Sequence, residues 1–161
     1  VSIERVEGGT DRGPIMYQHI LISTDGSEVA RKGVDHGLSL AKSVGAKVTI
    51  VTVTERFPLY AGPDYIPGPT EMAEYDARQK EGATKVLADA KAAADLLGVD
   101  AETVHVPEAQ PAEAIVAAAN NRHCDLIVIA SHGRRGLRRL LLGSQTSEVL
   151  VSSAVPVLVV R

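Results

Sequence analysis

The sequence predicts an α/β domain, an open and mainly parallel five-stranded sheet with helices on both faces. Short apolar runs alternate with helix-like stretches along the whole chain from Tyr17, five of the first against four of the second. That alternation calls for right-handed βαβ crossovers. Aromatic residues make up only 3% of the chain and tryptophan is absent, so the core must be filled by Val, Ile, Leu and Ala, as in sheets covered on both sides. At 161 residues and 45% hydrophobic content the chain suits one compact domain, burying roughly two-thirds of the surface it exposes when unfolded.

Each element has a local reason. "YQHILIST" (17–24) is a short β-rich run. In "DGSEVARKGVDHGLSLAKSVG" (25–45), Val29, Gly33, Val34, Gly37, Leu38 and Ala41 recur at helical spacing and Gly45 closes the helix. "DGSE" also spells a capping box, with Asp25 as N-cap and Glu28 reaching back. "AKVTIVTVT" reads as the second strand, followed by a Gly- and Pro-rich loop near residues 55–69 that suits either a lid or a passive connection. A long alanine-rich helix follows, with Thr70 as its expected N-cap and Gly98 at its stop. "VDAETVHVP" is the third strand, and "QPAEAIVAAANNRH" a helix with Pro111 in its first turn. "CDLIVIA" is the fourth strand, "SQTSEVLVSS" the fourth helix and "VPVLVV", Val155 to Val160, the fifth strand.

Composition bounds the function classes. A net charge of −3 gives no global attraction to nucleic acid or anionic membrane. The single cysteine, Cys124, cannot form an intramolecular disulfide and sits beside an apolar run, which points to a buried core residue in a reducing, cytoplasmic setting. No apolar stretch reaches the roughly 20 residues a membrane span needs. Residues 1–15 show no periodicity and read as a disordered extension, an upstream start or an expression remnant ahead of a single domain, 16–161.

In open parallel sheets the ligand crevice lies beyond the carboxyl ends of the strands. That directs attention to Ser23–Ser27, Thr52–Glu55 and the stretch from Ala130 onward. The segment "ASHGRRGLRRLLLGSQTSE" (130–148) follows the fourth strand directly, and Gly143-Ser144 opens the next helix. Unpaired N–H groups and the positive end of a helix dipole suit an anion there, phosphate especially, with Ser144 as cap and Glu148 in the first turn. Gly133 lets the chain turn and approach a ligand closely. A glycine-punctuated loop before a plain serine cap fits the same residues.

The layout from Ala130 to Thr146 resembles the nucleotide motif of the universal stress protein family, G-x-x-G, nine residues, then G-[S/T]. Gly133 fills the second glycine, "RRGLRRLLL" the nine residues and Gly143-Ser144 the close, while Ala130 stands at the first glycine, an extra methyl that would crowd a ribose or phosphate. The similarity runs from Met16 to Arg161 and includes "ILISTDGSEVA", "VTVTE" and "PVLVV". It implies a Rossmann-like sheet ordered 3-2-1-4-5 and a pocket for ATP or a related adenine nucleotide, with Mg carried by the phosphates. In that pocket Ser23 and Asp25 lie near base and ribose, and the backbone of Val53 near the adenine edge. Ala130, Ser131, His132, Gly133, Arg134, Arg135 and Gly136, with Gly143, Ser144, Gln145 and Thr146, surround ribose and phosphates. At most half of Arg134, Arg135, Arg138 and Arg139 would face a ligand. A member acting only through protein contacts is the alternative, with Ala130 as its clue.

Other chemistries are poorly supplied. No glycine-lysine pair is followed by Ser or Thr, as a Walker A loop requires, and G-x-G-x-x-G is missing after the first strand. "IASHG" half-matches a nucleophile elbow at Ser131, but Ile129 replaces its first glycine. The five histidines lack metal-site spacing, and "GRRGLRR" has no stacking aromatics to support nucleic-acid binding. The expectation is a nucleotide-dependent switch or interaction protein in stress response, with slow or absent hydrolysis. The last strand would be an apolar edge, best covered by the same strand of a second copy in a homodimer.

Overall fold

The computed structural model describes residues 17–57, 66–133 and 142–161. Five strands and four helices alternate: β1 (His19–Ser23), α1 (Glu28–Val44), β2 (Lys47–Val53), α2 (Pro69–Leu97), β3 (Ala101–Val106), α3 (Pro111–Asn121), β4 (Leu126–Ala130), α4 (Ser144–Ser152) and β5 (Val157–Val160). The strands form one parallel sheet in the order β3-β2-β1-β4-β5, the arrangement the resemblance implies.

Alternation along the strands sends side chains to two cores. Ile20, Ile22, Val48, Ile50, Leu126 and Val128 pack with Val34, Leu38 and Ala41 of α1 and Leu87, Ala90 and Ala94 of α2. Leu21, Val51, Ile127 and Ile129 pack with Ala112, Ile115 and Ala119 of α3 and Val149 of α4. The buried stripe of α1 is Ala30, Gly33, Val34, Gly37, Leu38 and Ala41, so Ala30 takes the place expected for Val29. Gly37 lets α1 approach β1 closely: a Cβ there would stand 2.6 Å from Ile22 Cδ1. Cys124 is buried as expected, and burial pushes its thiol up to about 11.

Helix starts differ from expectation at three places. Gly26 adopts φ 77° and turns the chain, so Ser27, not Asp25, caps α1 by accepting from the Ala30 N–H at 3.2 Å. Asp25 Oδ1 instead accepts from the Ser27 N–H at 2.9 Å. α2 begins at Pro69, whose fixed φ suits the first helical position, with Gly68 rather than Thr70 as N-cap. In α4 the N-cap is Gly143; Ser144 is already helical, and Glu148 lies beyond the first turn. The left-handed stops at Gly45 and Gly98 are as expected. β5 is shorter than the predicted Val155 to Val160, because Pro156 serves only as a carbonyl acceptor for the Ile127 N–H.

Candidate nucleotide site

A cavity of about 260 Å³ opens at the carboxyl ends of β1, β2 and β4. Each strand delivers its last residues to it: Ser23, Thr24 and Asp25 after β1, Val53, Thr54 and Glu55 after β2, and Ile129, Ala130, His132 and Gly133 after β4. Gln145 and Thr146 of α4, Pro111 and Ile115 of α3, Ala30 of α1 and Tyr75 and Gln79 of α2 complete the wall.

The strand ends are held by their own hydroxyls. Thr24 N–H donates to Val51 O at 2.9 Å, and the Thr52 hydroxyl donates to Thr24 O at 2.7 Å. Thr54 N–H donates to Val106 O on β3 at 3.0 Å. Peptide groups alternate sides along a strand, so those of Val53 face away from β3, toward the space beyond the end of β1. The Thr54 hydroxyl pairs with His105 Nε2 at 2.8 Å, and burial, then the Lys80 charge, hold that imidazole below its usual range.

On the β4 side, Thr146 donates its hydroxyl to Ala130 O at 2.8 Å, tying the first turn of α4 to the strand end. Gln145 Oε1 accepts from the Ala112 N–H at 3.0 Å and so caps α3, and Gln145 also lines the cavity. Among the described residues no side chain caps α4 itself, whose first N–H groups have no intrahelical partner. A Cβ on Gly133 would collide with the Asp25 carboxylate, which lies directly against it. Ala130 faces the α1 side of the sheet, in line with Leu126 and Val128. A Cβ built on Gly33 of α1 would lie 3.8 Å from the Ala130 methyl, so that methyl is taken up against a glycine.

Of the residues expected from the sequence, Ser23, Asp25, Val53, Ala130, His132, Gly133, Gln145 and Thr146 line the cavity together. Ser131, Gly143 and Ser144 do not. Ser131 is 2% exposed: its N–H donates to Val160 O, its carbonyl accepts from Gly143 N–H, and its hydroxyl pairs with His132 Nδ1 at 2.9 Å. Gly143 is pressed against His132 and Ser131, and Ser144 points outward. Arg134, Arg135, Gly136, Arg138 and Arg139 lie outside the described residues, as does part of the 55–69 loop. Tyr75, Gln79, Pro111 and Ile115 were not anticipated. The i, i+4 spacing of Tyr75 and Gln79, polar groups on one helical face near the second strand's end, was the available signal.

A second polar cluster sits toward the amino ends of β1, β2 and β3, away from the cavity. Thr49 donates its hydroxyl to Glu102 Oε1 at 2.7 Å and pairs with His19 Nε2 at 2.8 Å, and Glu102 also holds Arg122. Since the one Thr49 proton goes to Glu102, His19 must donate from Nε2. Its Nδ1 is then a buried acceptor with no hydrogen-bond partner among the described residues. Burial and the charge of Lys47 keep His19 below its ordinary range. No helix among the described residues is long and apolar enough to cross a membrane.

The model of the universal stress protein family matches residues 16–161. A universal stress protein of Thermus aquaticus is 35% identical over 146 residues, covering 91% of this chain and 100% of that one. The solved structure of protein MJ0577, a universal stress protein of Methanocaldococcus jannaschii, superposes with a TM-score of 0.74 at 27% identity, over 91% of this chain and 96% of that one. A universal stress protein solved in complex with cAMP gives a TM-score of 0.64 at 27% identity, over 91% and 98%. With the parallel 3-2-1-4-5 sheet and a match that runs from residue 16 to the last, the chain belongs to the universal stress protein family.

Proposed function

We propose that this chain binds ATP or a related adenine nucleotide in the cavity at the ends of β1, β2 and β4, and acts as a ligand-dependent switch or interaction protein in a reducing, cytoplasmic setting. The observation that carries this reading is the convergence of Asp25, Val53, Gly133 and the first-turn residues Gln145 and Thr146 of α4 on one cavity. The cAMP complex of a relative in the same family supports the ligand class.

Each part has a physical role. Val53 offers an N–H and a C=O to a base edge, as a strand would offer them to a neighbour. Ser23 and Asp25 meet the ribose hydroxyls. The amides of α4 and the Gln145 amide nitrogen meet the phosphates, where the helix dipole favours negative charge. Mg would be held by the phosphates, with Asp25 the near carboxylate. The proposed role is binding with slow or absent hydrolysis; the Ser131 hydroxyl is buried and paired with His132 Nδ1, away from the cavity. In a homodimer, β5 would pair with its copy across the sheet edge, where Val157 to Val160 are only half-buried in the single chain.

Photolabelling with 8-azido-ATP tests the placement. Label confined to the peptides that contain Val53 to Glu55, Tyr75 to Gln79 or Pro111 to Ile115, and lost with excess ATP, is the expected result. Competable label on any other face overturns the placement.

A further inference from the structure

The α2 wall of the cavity carries polar groups that the nucleotide reading above leaves without a task. Tyr75 and Gln79 lie one turn apart on α2. Phe57 packs edge-on against the Tyr75 ring, with centroids 5.1 Å apart, and fixes its position. The Tyr75 hydroxyl reaches Glu55 O at 3.4 Å and Arg56 O at 3.5 Å, long contacts to atoms that can only accept. Its oxygen accepts from Gln79 Nε2 at 2.7 Å, the short bond of the set, which leaves its own proton for the backbone carbonyls. This relay sets the orientation of the Gln79 amide. The nitrogen is engaged, and Oε1 is left as an acceptor that no described residue uses.

The cavity runs from the β4–α4 end, where the anion-binding groups are, to the β2–α2 end. Those strands are two places apart in the sheet, about 10 Å. A nucleotide whose phosphates lie at α4 would thus bring its base to Val53 and Gln79. The 6-amino group of adenine has two hydrogens, one for the Val53 carbonyl and one for a second acceptor. A 6-oxopurine would set its own oxygen against Gln79 Oε1 instead.

We propose that Gln79 reads the exocyclic amino group of the base and, with its orientation fixed by Tyr75, gives the site a preference for adenine over 6-oxopurine nucleotides. The assignment rests on the nucleotide reading, and the test separates the two. Affinities for ATP and ITP are measured by calorimetry on the wild-type chain and on the Gln79→Leu and Gln79→Glu variants. Wild type should prefer ATP, Gln79→Leu should cut the ATP:ITP ratio by about tenfold, the loss of one hydrogen bond, and Gln79→Glu, which keeps an acceptor, should retain most of the preference. If wild type binds ATP and the Gln79→Leu ratio is unchanged, or both variants lose the preference alike, the role of Gln79 is overturned and the site stands. If wild type binds neither nucleotide, the reading of the site falls first.

Discussion

The Asp25 carboxylate lies so close to Gly133 that a methyl group on Gly133 would occupy its place. The loops leaving β1 and β4, distant in sequence, therefore meet at a point where any side chain larger than that of glycine makes one of them shift. Gly133→Ala must displace either the carboxylate proposed to meet the ribose or the loop proposed to meet the phosphates. Affinity for ATP should fall by about tenfold or more, as when a close backbone approach is lost. Because Gly133 is exposed, the thermal midpoint should change little. Competition against a fluorescent ATP analogue, with a melting curve on the same sample, checks both.

Gly37→Ala should destabilise the fold, although alanine is the better helix former. The new methyl would stand 2.6 Å from Ile22 Cδ1 and 2.9 Å from Ile22 Cγ1, inside a core where Ile22 is fully buried. Overpacking of this kind costs about 1–3 kcal/mol, against about 1 kcal/mol gained in helix propensity. Adding Ile22→Val, which deletes Cδ1, should recover part of the loss. Urea unfolding of the two variants decides it.

Stability should fall as the solution is acidified below about pH 6.5. His19 is buried near the Lys47 charge, its Nδ1 has no partner among the described residues, and its folded pKa lies below the ordinary 6.5. The unfolded chain thus binds the proton first, and stability present above 6.5 is lost as pH falls toward the folded value. His105 acts in the same direction. Glu102, held down first by its Thr49 hydrogen bond and also by Arg122, adds a second loss below about pH 4.5. His19→Gln, which keeps a donor for Thr49, should make the drop in Tm between pH 8 and pH 5.5 smaller without abolishing it.

The outer edge of β5 gives a test of assembly. Pro156 and Val160 direct carbonyls toward β4 and the loop after it, so by alternation the peptide groups of Val157 and Val159 face outward. Val159→Pro removes an outward donor while leaving the β4 ladder its own bonds. Light scattering should give a dimer mass for the parent chain and a monomer mass for the variant. A dimer that survives the substitution places the contact elsewhere.

Much of the fold was legible because its signals are local. The apolar runs around Ile20, Val48 and Ile127 and the helical stripe from Gly33 to Ala41 declare themselves by periodicity, and Gly45 and Gly98 mark stops by their backbone freedom. Caps were read less well, since they depend on competition among neighbours. Gly26 takes the turn that lets Ser27 displace Asp25, and Pro69 starts α2 ahead of Thr70. In the site, residues next to strand ends were found because the crevice rule names those positions. Tyr75 and Gln79 were not, because only the packing of α2 over β2 brings a mid-helix residue to a strand end. Ser131 was expected to line the cavity, but it is turned inward by its bonds to Val160, Gly143 and His132.

Calorimetric titration of the nucleotide-free chain with ATP tests the central claim most directly. A saturable heat at one site per chain with a micromolar dissociation constant, about 8 kcal/mol of binding free energy, is the predicted result, and Gly133→Val should remove it. The absence of any binding heat at millimolar ATP, across temperatures chosen to avoid an accidental zero enthalpy, would contradict it.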